Sequence, residues 1–203
     1  MTIRIACLHT IDSNAAVFQA ACPPGAVLHH VVRADLLSAA EAAGGLTPAI
    51  KEETRALLAG LAAEADAVLL TCSTLGPSAD GLALRVDAAL AEATAAAPGP
   101  RLVLYAVATT EAPTRALFAT YPAPFEMRLA PGAWDAFRAG DLPGYHARVA
   151  EAADAAYAEG YATVALAQAS MAGAAALCRR GTPLTSPAAG LSAALASPHA
   201  RGG

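Results

Sequence analysis

The sequence predicts an α/β protein built as two similar lobes, each a mainly parallel sheet flanked by helices. Three observations carry that expectation. Short runs rich in Val, Leu and Ile recur between longer Ala-rich stretches, the alternation that a parallel sheet with crossover helices produces. The 203 residues suffice for one domain or for two compact lobes of about 100 residues each. Pro98-Gly99-Pro100, near the middle, cannot continue the Ala-rich helix before it, and the strand-helix alternation resumes on its far side.

In chain order, the first strand is expected at 3–8, and a helix at 13–21 starts behind the capping candidates Asp12 and Ser13. A Val-rich strand follows at 27–32, then a long helix at 48–64 and a wholly apolar strand at 67–70. The stretch 78–96 reads as one Ala-rich helix capped by Thr74 or Ser78. Beyond the Pro-Gly-Pro break, strands are expected at 102–107, 125–129 and 163–166, with a short one at 183–185. Helices fill the gaps at 112–120, 144–159, 171–178 and 188–195, and Pro131-Gly132-Ala133-Trp134 reads as a loop entering a helix. Residues 1–97 plus 182–203 then make the first lobe, since the segment after Thr182 crosses back to it, and 98–181 make the second. The polar end, 197–203, is expected to be a frayed tail.

Composition excludes several classes of function. The net charge is -4 and Lys and Arg cluster nowhere beyond Arg179-Arg180, so there is no electrostatic footprint for nucleic acid. Hydrophobic residues reach 56% because alanine is abundant, yet Gly, Pro or charge interrupts every run before the roughly 20 bulky apolar residues that a spanning helix requires. No membrane partner is expected. The N-terminus begins directly as a strand, which implies no signal peptide and a cytoplasmic protein. Cys7, Cys22, Cys72 and Cys178 form no C-x-x-C pair and read as free thiols. Alternation sends His29 and His30 to opposite faces of their strand, so they share no metal. With no Gly-rich phosphate loop after any strand, neither a metal nor an organic cofactor is implied.

In open parallel sheets, ligands sit beyond the carboxyl ends of the strands. Those ends carry His9-Thr10-Ile11-Asp12-Ser13-Asn14, Thr71-Cys72-Ser73-Thr74-Leu75-Gly76-Pro77, Ala108-Thr109-Thr110-Glu111 and Ala167-Gln168-Ala169-Ser170-Met171. Hydroxyls crowd these loops and charge is nearly absent, which suits a small anion held by hydroxyls and backbone N–H groups. For any single loop, an ordinary helix cap explains the same residues. Cys72 differs in kind: a thiol just past a buried strand and before an expected helix sits where the helix dipole favours the thiolate, although most free cysteines are simply small buried hydrophobes. His9 is placed to tune Cys72 or to serve as a hydrogen-bonded structural residue, and Glu111 to face a helix N-terminus.

Leu69-Leu70-Thr71-Cys72-Ser73-Thr74-Leu75-Gly76 resembles the first cysteine motif of the aspartate/glutamate/hydantoin racemase superfamily. Ala106-Val107-Ala108-Thr109-Thr110 is similar to its central-loop segment, Val164 through Ala172 occupies the place of its second cysteine motif, and Thr185-Ser186-Pro187 resembles the segment after that. The resemblance implies two pseudosymmetric Rossmann-like lobes with a cleft between them. It also implies cofactor-independent proton transfer at the carbon next to a carboxylate, by two cysteines on opposite faces of the substrate. Carried over, the first cysteine falls on Cys72 and the second on Ala169, which has no proton to exchange. Ser13, Asn14, Ser73, Thr74, Thr109, Thr110, Ala169, Ser170 and Ser186 fall on the substrate-binding positions. The implied partner is a small carboxylate or amino-acid-like molecule, handled by a racemase-like isomerase, by a single-cysteine decarboxylase or lyase, or by a non-catalytic carboxylate-binding protein. A homodimer through the Ala-rich helices is compatible with the sequence but is located nowhere in it.

Overall fold

The computed structural model describes residues 2–197, so all but the first residue of the tail expected at 197–203 lies outside the described residues. Contacts divide the chain into two compact units, Met1–Ala89 with Pro187–Gly203, and Leu90–Ser186. The division falls inside a helix rather than at Pro98-Gly99-Pro100, which is an internal link of the second unit.

The first unit runs β1 (Ile3–His9), α1 (Ser13–Ala20), β2 (Ala26–Val32), α2 (Ala34–Ala42), α3 (Pro48–Ala62), β3 (Ala67–Leu70) and β4 (Leu84–Arg85). Its sheet is parallel throughout, in the order β2-β1-β3-β4. Ile5 to Leu8 on β1 and all of β3 are buried on both faces, which is why these strands read as unbroken apolar runs; β2 lies at the edge, with Val27 55% exposed. Helix α3 begins cleanly because Thr47 Oγ1 accepts the Ile50 N–H at 3.3 Å and Pro48 occupies the first turn. Leu58 of α3 and Leu36 of α2 join Leu8, Val68, Leu70 and Leu75 in one core.

The helix α4 (Val86–Ala96) leads into the second unit, which continues β5 (Arg101–Tyr105), α5 (Glu111–Phe118), β6 (Glu126–Leu129), α6 (Ala133–Arg138), α7 (Leu142–Ala158), β7 (Thr163–Leu166) and β8 (Leu184–Thr185); α8 (Ser186–Ala196) comes last. This sheet is again all parallel, in the order β6-β5-β7-β8. Arg101 closes the C-terminal end of α4: its Nε donates to Thr94 O at 2.8 Å and its Nη2 to Ala95 O at 3.2 Å and to Ala97 O, satisfying carbonyls that the last turn leaves open. The hub of the core is α7, where Val149, Ala150, Ala153 and Ala156 are buried and small enough to let the helix approach β5 and β7 closely. Asp141 caps α7 by accepting the Gly144 N–H at 2.9 Å. Asp141→Ala is expected to lower stability by about 1 kcal/mol, as a shift of the urea midpoint at unchanged slope.

The two halves of the chain repeat one order: strand, helix, strand, two helices, strand, a 3-10 segment, a two-residue strand and a helix, the second half adding a 3-10 turn at Ala108–Thr110 before its first helix. The registers coincide as well. Leu8 pairs with Leu70 and Leu70 with Arg85, just as Leu104 pairs with Leu166 and Leu166 with Thr185.

Several expected elements are corrected. The helix expected at 78–96 is a 3-10 turn at Gly76–Ser78, then β4, then α4; Asp80 at φ 20° and Gly81 at φ 79° turn the chain out of helical space. No α-helix therefore starts behind Thr74 or Ser78 to be capped, and Ser78 Oγ is buried without a partner among the described residues. Asp12 already has helical dihedrals and makes no side-chain cap bond. The helix expected at 171–178 is a 3-10 helix at Ala169–Leu177, whose three-residue repeat stacks Met171 over Ala174 on the buried side. Helix α2 went unread, because a short Ala-rich segment carries little periodic pattern, whereas α6 starts at Ala133, where the Pro131-Gly132 loop was expected to enter a helix.

Candidate active site

Cys72 lies two residues past β3, 9% exposed, with its thiol side packed in the first unit's core. Ser73 and Thr74 come next, at the surface. Their backbone N–H groups have no hydrogen-bond acceptor among the described residues, so this loop presents two free donors and two hydroxyls beside the thiol. The dipole argument for a thiolate lapses here, because Cys72 precedes a single 3-10 turn and not an α-helix. Charge is nearer than expected. A Cβ on Gly76 would lie 2.6 Å from Arg85 Cζ, so the guanidinium lies against the loop, held by Asp87 at 2.8 and 3.1 Å. Ser13 and Asn14 stand beyond the neighbouring β1, the first exposed and the second buried.

His9 ends β1 and is fully buried. Its Nδ1 faces Thr71 Oγ1 at 2.9 Å and its Nε2 faces His30 Nδ1 at 2.9 Å, while His30 Nε2 meets Gln19 Oε1 at 3.3 Å. Burial, and then the His30 charge, lower the His9 pKa to about 4, and burial and His29 lower that of His30. His9 is thus tied to the residue before Cys72 rather than aimed past the strand ends. Cys7, on the same strand, is pushed up to about 12 by burial and by nearby Cys22.

In the second unit, Gln168 joins the loops after β5 and β7. Its Oε1 accepts the Ala106 N–H at 2.9 Å and its Nε2 donates to Thr110 Oγ1 at 2.7 Å, while the Thr110 hydroxyl donates to Val107 O at 2.7 Å. Thr110 is therefore committed to the loop, whereas its neighbour Thr109 is exposed. Ala169 and Ser170 open the 3-10 helix, and Ser170 Oγ lies 2.9 Å from Tyr145 OH, with His146 Nε2 3.0 Å from the Ser170 carbonyl. Burial raises the Tyr145 pKa, against the opposing effect of the Ser170 bond. Ser186 is buried at the start of α8. Glu111 accepts from Tyr105 OH and from Arg115 at 2.9 Å, two bonds that hold its carboxyl below the usual range. Trp134 stacks on Phe137 with centroids 5.1 Å apart.

The repeat identifies the counterpart of Cys72. Two residues past the equivalent positions Leu70 and Leu166 lie Cys72 and Gln168, so Gln168 and not Ala169 matches the thiol, and Ala169 matches Ser73. Sequence reasoning passed over Gln168, Tyr145 and Arg85. The register of the two sheets is the signal that finds the first; the others are visible only in contacts. A groove of about 270 Å³ opens elsewhere, at the amino end of β3 among Ala62, Asp66, Leu82 and Leu84, with Asp66 already bonded to Arg4.

No protein-family model matches the chain, and no curated protein is detectably similar to it in sequence. Solved structures are similar in fold. Allantoin racemase from Klebsiella pneumoniae superposes with a TM-score of 0.67 at 14% identity, over 96% of this chain and 87% of that one. An aspartate racemase homologue from Pyrococcus horikoshii OT3 gives 0.65 at 11% identity, over 96% and 98%. Glutamate racemase from Thermus thermophilus, in complex with β-chloro-D-alanine, gives 0.60 at 15%, over 99% and 82%. The fold is that of these racemases, as the cysteine-motif resemblance implies.

Proposed function

We propose, from the fold shared with amino-acid and allantoin racemases, that this chain is a racemase-like isomerase in which Cys72 moves a proton at the carbon next to a carboxylate or similar carbonyl, without an organic cofactor. The observation that carries the reading is Cys72 itself, past the carboxyl end of a central buried strand and next to the free N–H groups of Ser73 and Thr74. Such donors stabilise the enolate-like charge that develops as the proton leaves. Ser73, Thr74, Ser13 and Asn14 are proposed to hold the substrate's oxygens in the first unit. The same role is proposed for Thr109, Ser170 and Ser186 in the second, with Ala169 lining the site and Thr110 holding the loop in place through Val107 and Gln168.

Gln168 favours a second reading, one-sided chemistry such as decarboxylation. An amide pinned by Ala106 and Thr110 donates hydrogen bonds but has no proton to exchange at neutral pH, so the second acid of a two-thiol racemase has no equivalent at that position. The test is incubation of the protein in D₂O with small carboxylic acids, amino acids and hydantoins, with NMR as the readout. Deuterium at the α-carbon with inversion supports the isomerase. Deuterium with retention, or with loss of CO₂, supports the one-sided enzyme. Binding without any exchange would leave a carboxylate-binding protein.

A further inference from the structure

We propose that Cys7, His9 and His30 bind a borderline-soft divalent cation such as zinc, on the α1 face of the first unit's sheet. The inference does not rest on the reading of Cys72. Cys7 and His9 are two apart on β1 and share a face, and His30 is the register partner of Cys7 on β2. One ligand atom from each lies within 4.8 Å of the others, and no other three His, Cys, Asp or Glu side chains among the described residues come together in this way. Alternation does separate His29 from His30; the partners of His30 come from the neighbouring strand instead.

The hydrogen bonds suit a metal. Histidine ligands characteristically donate the ring N–H that does not face the metal to a fixed acceptor. Here Thr71 Oγ1 stands at 2.9 Å from His9 Nδ1 and Gln19 Oε1 at 3.3 Å from His30 Nε2, which leaves His9 Nε2 and His30 Nδ1 facing each other at 2.9 Å. Without metal, a single proton occupies that gap, and the Thr71 hydroxyl has two acceptors in reach, His9 Nδ1 at 2.9 Å and Leu8 O at 3.1 Å. With metal, His9 carries its proton on Nδ1 and Thr71 turns its hydroxyl to Leu8 O, 3.1 Å away. Only the Cys7 thiol proton is then released to solvent. Tetrahedral zinc sets two nitrogens about 3.4 Å apart and sulfur and nitrogen about 3.6 Å, so the imidazoles open by roughly half an ångström and Cys7 closes in. A thiolate with two imidazoles is a donor set for zinc or copper rather than magnesium or calcium.

The fold itself does not require these side chains. The positions equivalent to Cys7, His9 and His30 in the second unit are Val103, Tyr105 and Met127. His30 is half-buried and Gln19 exposed, which leaves a route from solvent.

The test is titration of the chelator-treated full chain with Co²⁺, read as a thiolate-to-cobalt charge-transfer band and intensified visible bands, and then displacement with Zn²⁺. One equivalent is expected to bind. The charge-transfer band should vanish in Cys7→Ala, and zinc affinity should fall more than about 100-fold in His30→Gln, beyond the loss typical of an outer-shell change. His29→Gln and Cys178→Ser should match wild type. Absence of the band in wild type, or its persistence in Cys7→Ala, overturns the site. Half-exposed His30 makes the second variant informative even where Cys7→Ala folds poorly.

Discussion

Cys72→Ala is expected to slow α-hydrogen exchange by at least about 100-fold, because positioned acid-base groups typically contribute 10² to 10⁴ in rate. The substitution removes one sulfur atom and leaves the loop its N–H groups and hydroxyls, so substrate binding should survive better than exchange. Stability is the necessary control, since Cys72 also packs in the core with Leu70 and Leu75. A urea midpoint near wild type, with exchange lost and binding retained, separates a chemical role from a packing role. Wild-type exchange rates in the variant would remove Cys72 from the mechanism. Cys72→Ser should rescue little, because a hydroxyl gives up its proton far less readily than a thiol.

Tyr145→Ala should cost about 3–5 kcal/mol, the range for deleting a buried aromatic side chain, whereas Tyr145→Phe should cost only about 1 kcal/mol for the lost hydrogen bond. Tyr145 is fully buried, lies edge-on to Phe137 at 5.1 Å and bonds Ser170 through its hydroxyl. The next buried residues along the helix are Val149, Ala150 and Ala153, short side chains that cannot swing into the cavity. Urea denaturation of both variants measures the split. Equal costs would mean that the hydroxyl, not the ring, dominates. A small cost for both would mean that the ring is not packed as described. The Phe variant also frees Ser170, so any change in its exchange kinetics reports on the loop rather than the core.

The buried strands were legible in the sequence because a parallel strand covered on both faces is apolar nearly throughout, and Ala67 to Leu70 or Val164 to Leu166 announce themselves against polar surroundings. The stretch after Cys72 was not. Alanine and leucine between 78 and 96 suit a helix, and only the Asp80-Gly81 turn, with the pairing of Leu84 and Arg85 against β3, decides otherwise. Helix propensity is a weak local preference that one ladder and one turn override.

By itself, the sequence determined that this is a two-unit α/β protein with a thiol past a buried strand, because hydrophobic alternation and strand-end position are properties of neighbours along the chain. Only the tertiary structure decided that Gln168 is the counterpart of Cys72, that Arg85 lies over its loop, and that Cys7, His9 and His30 share one face. Each of those depends on register between strands distant in sequence, where a shift of one residue sends every side chain to the opposite face.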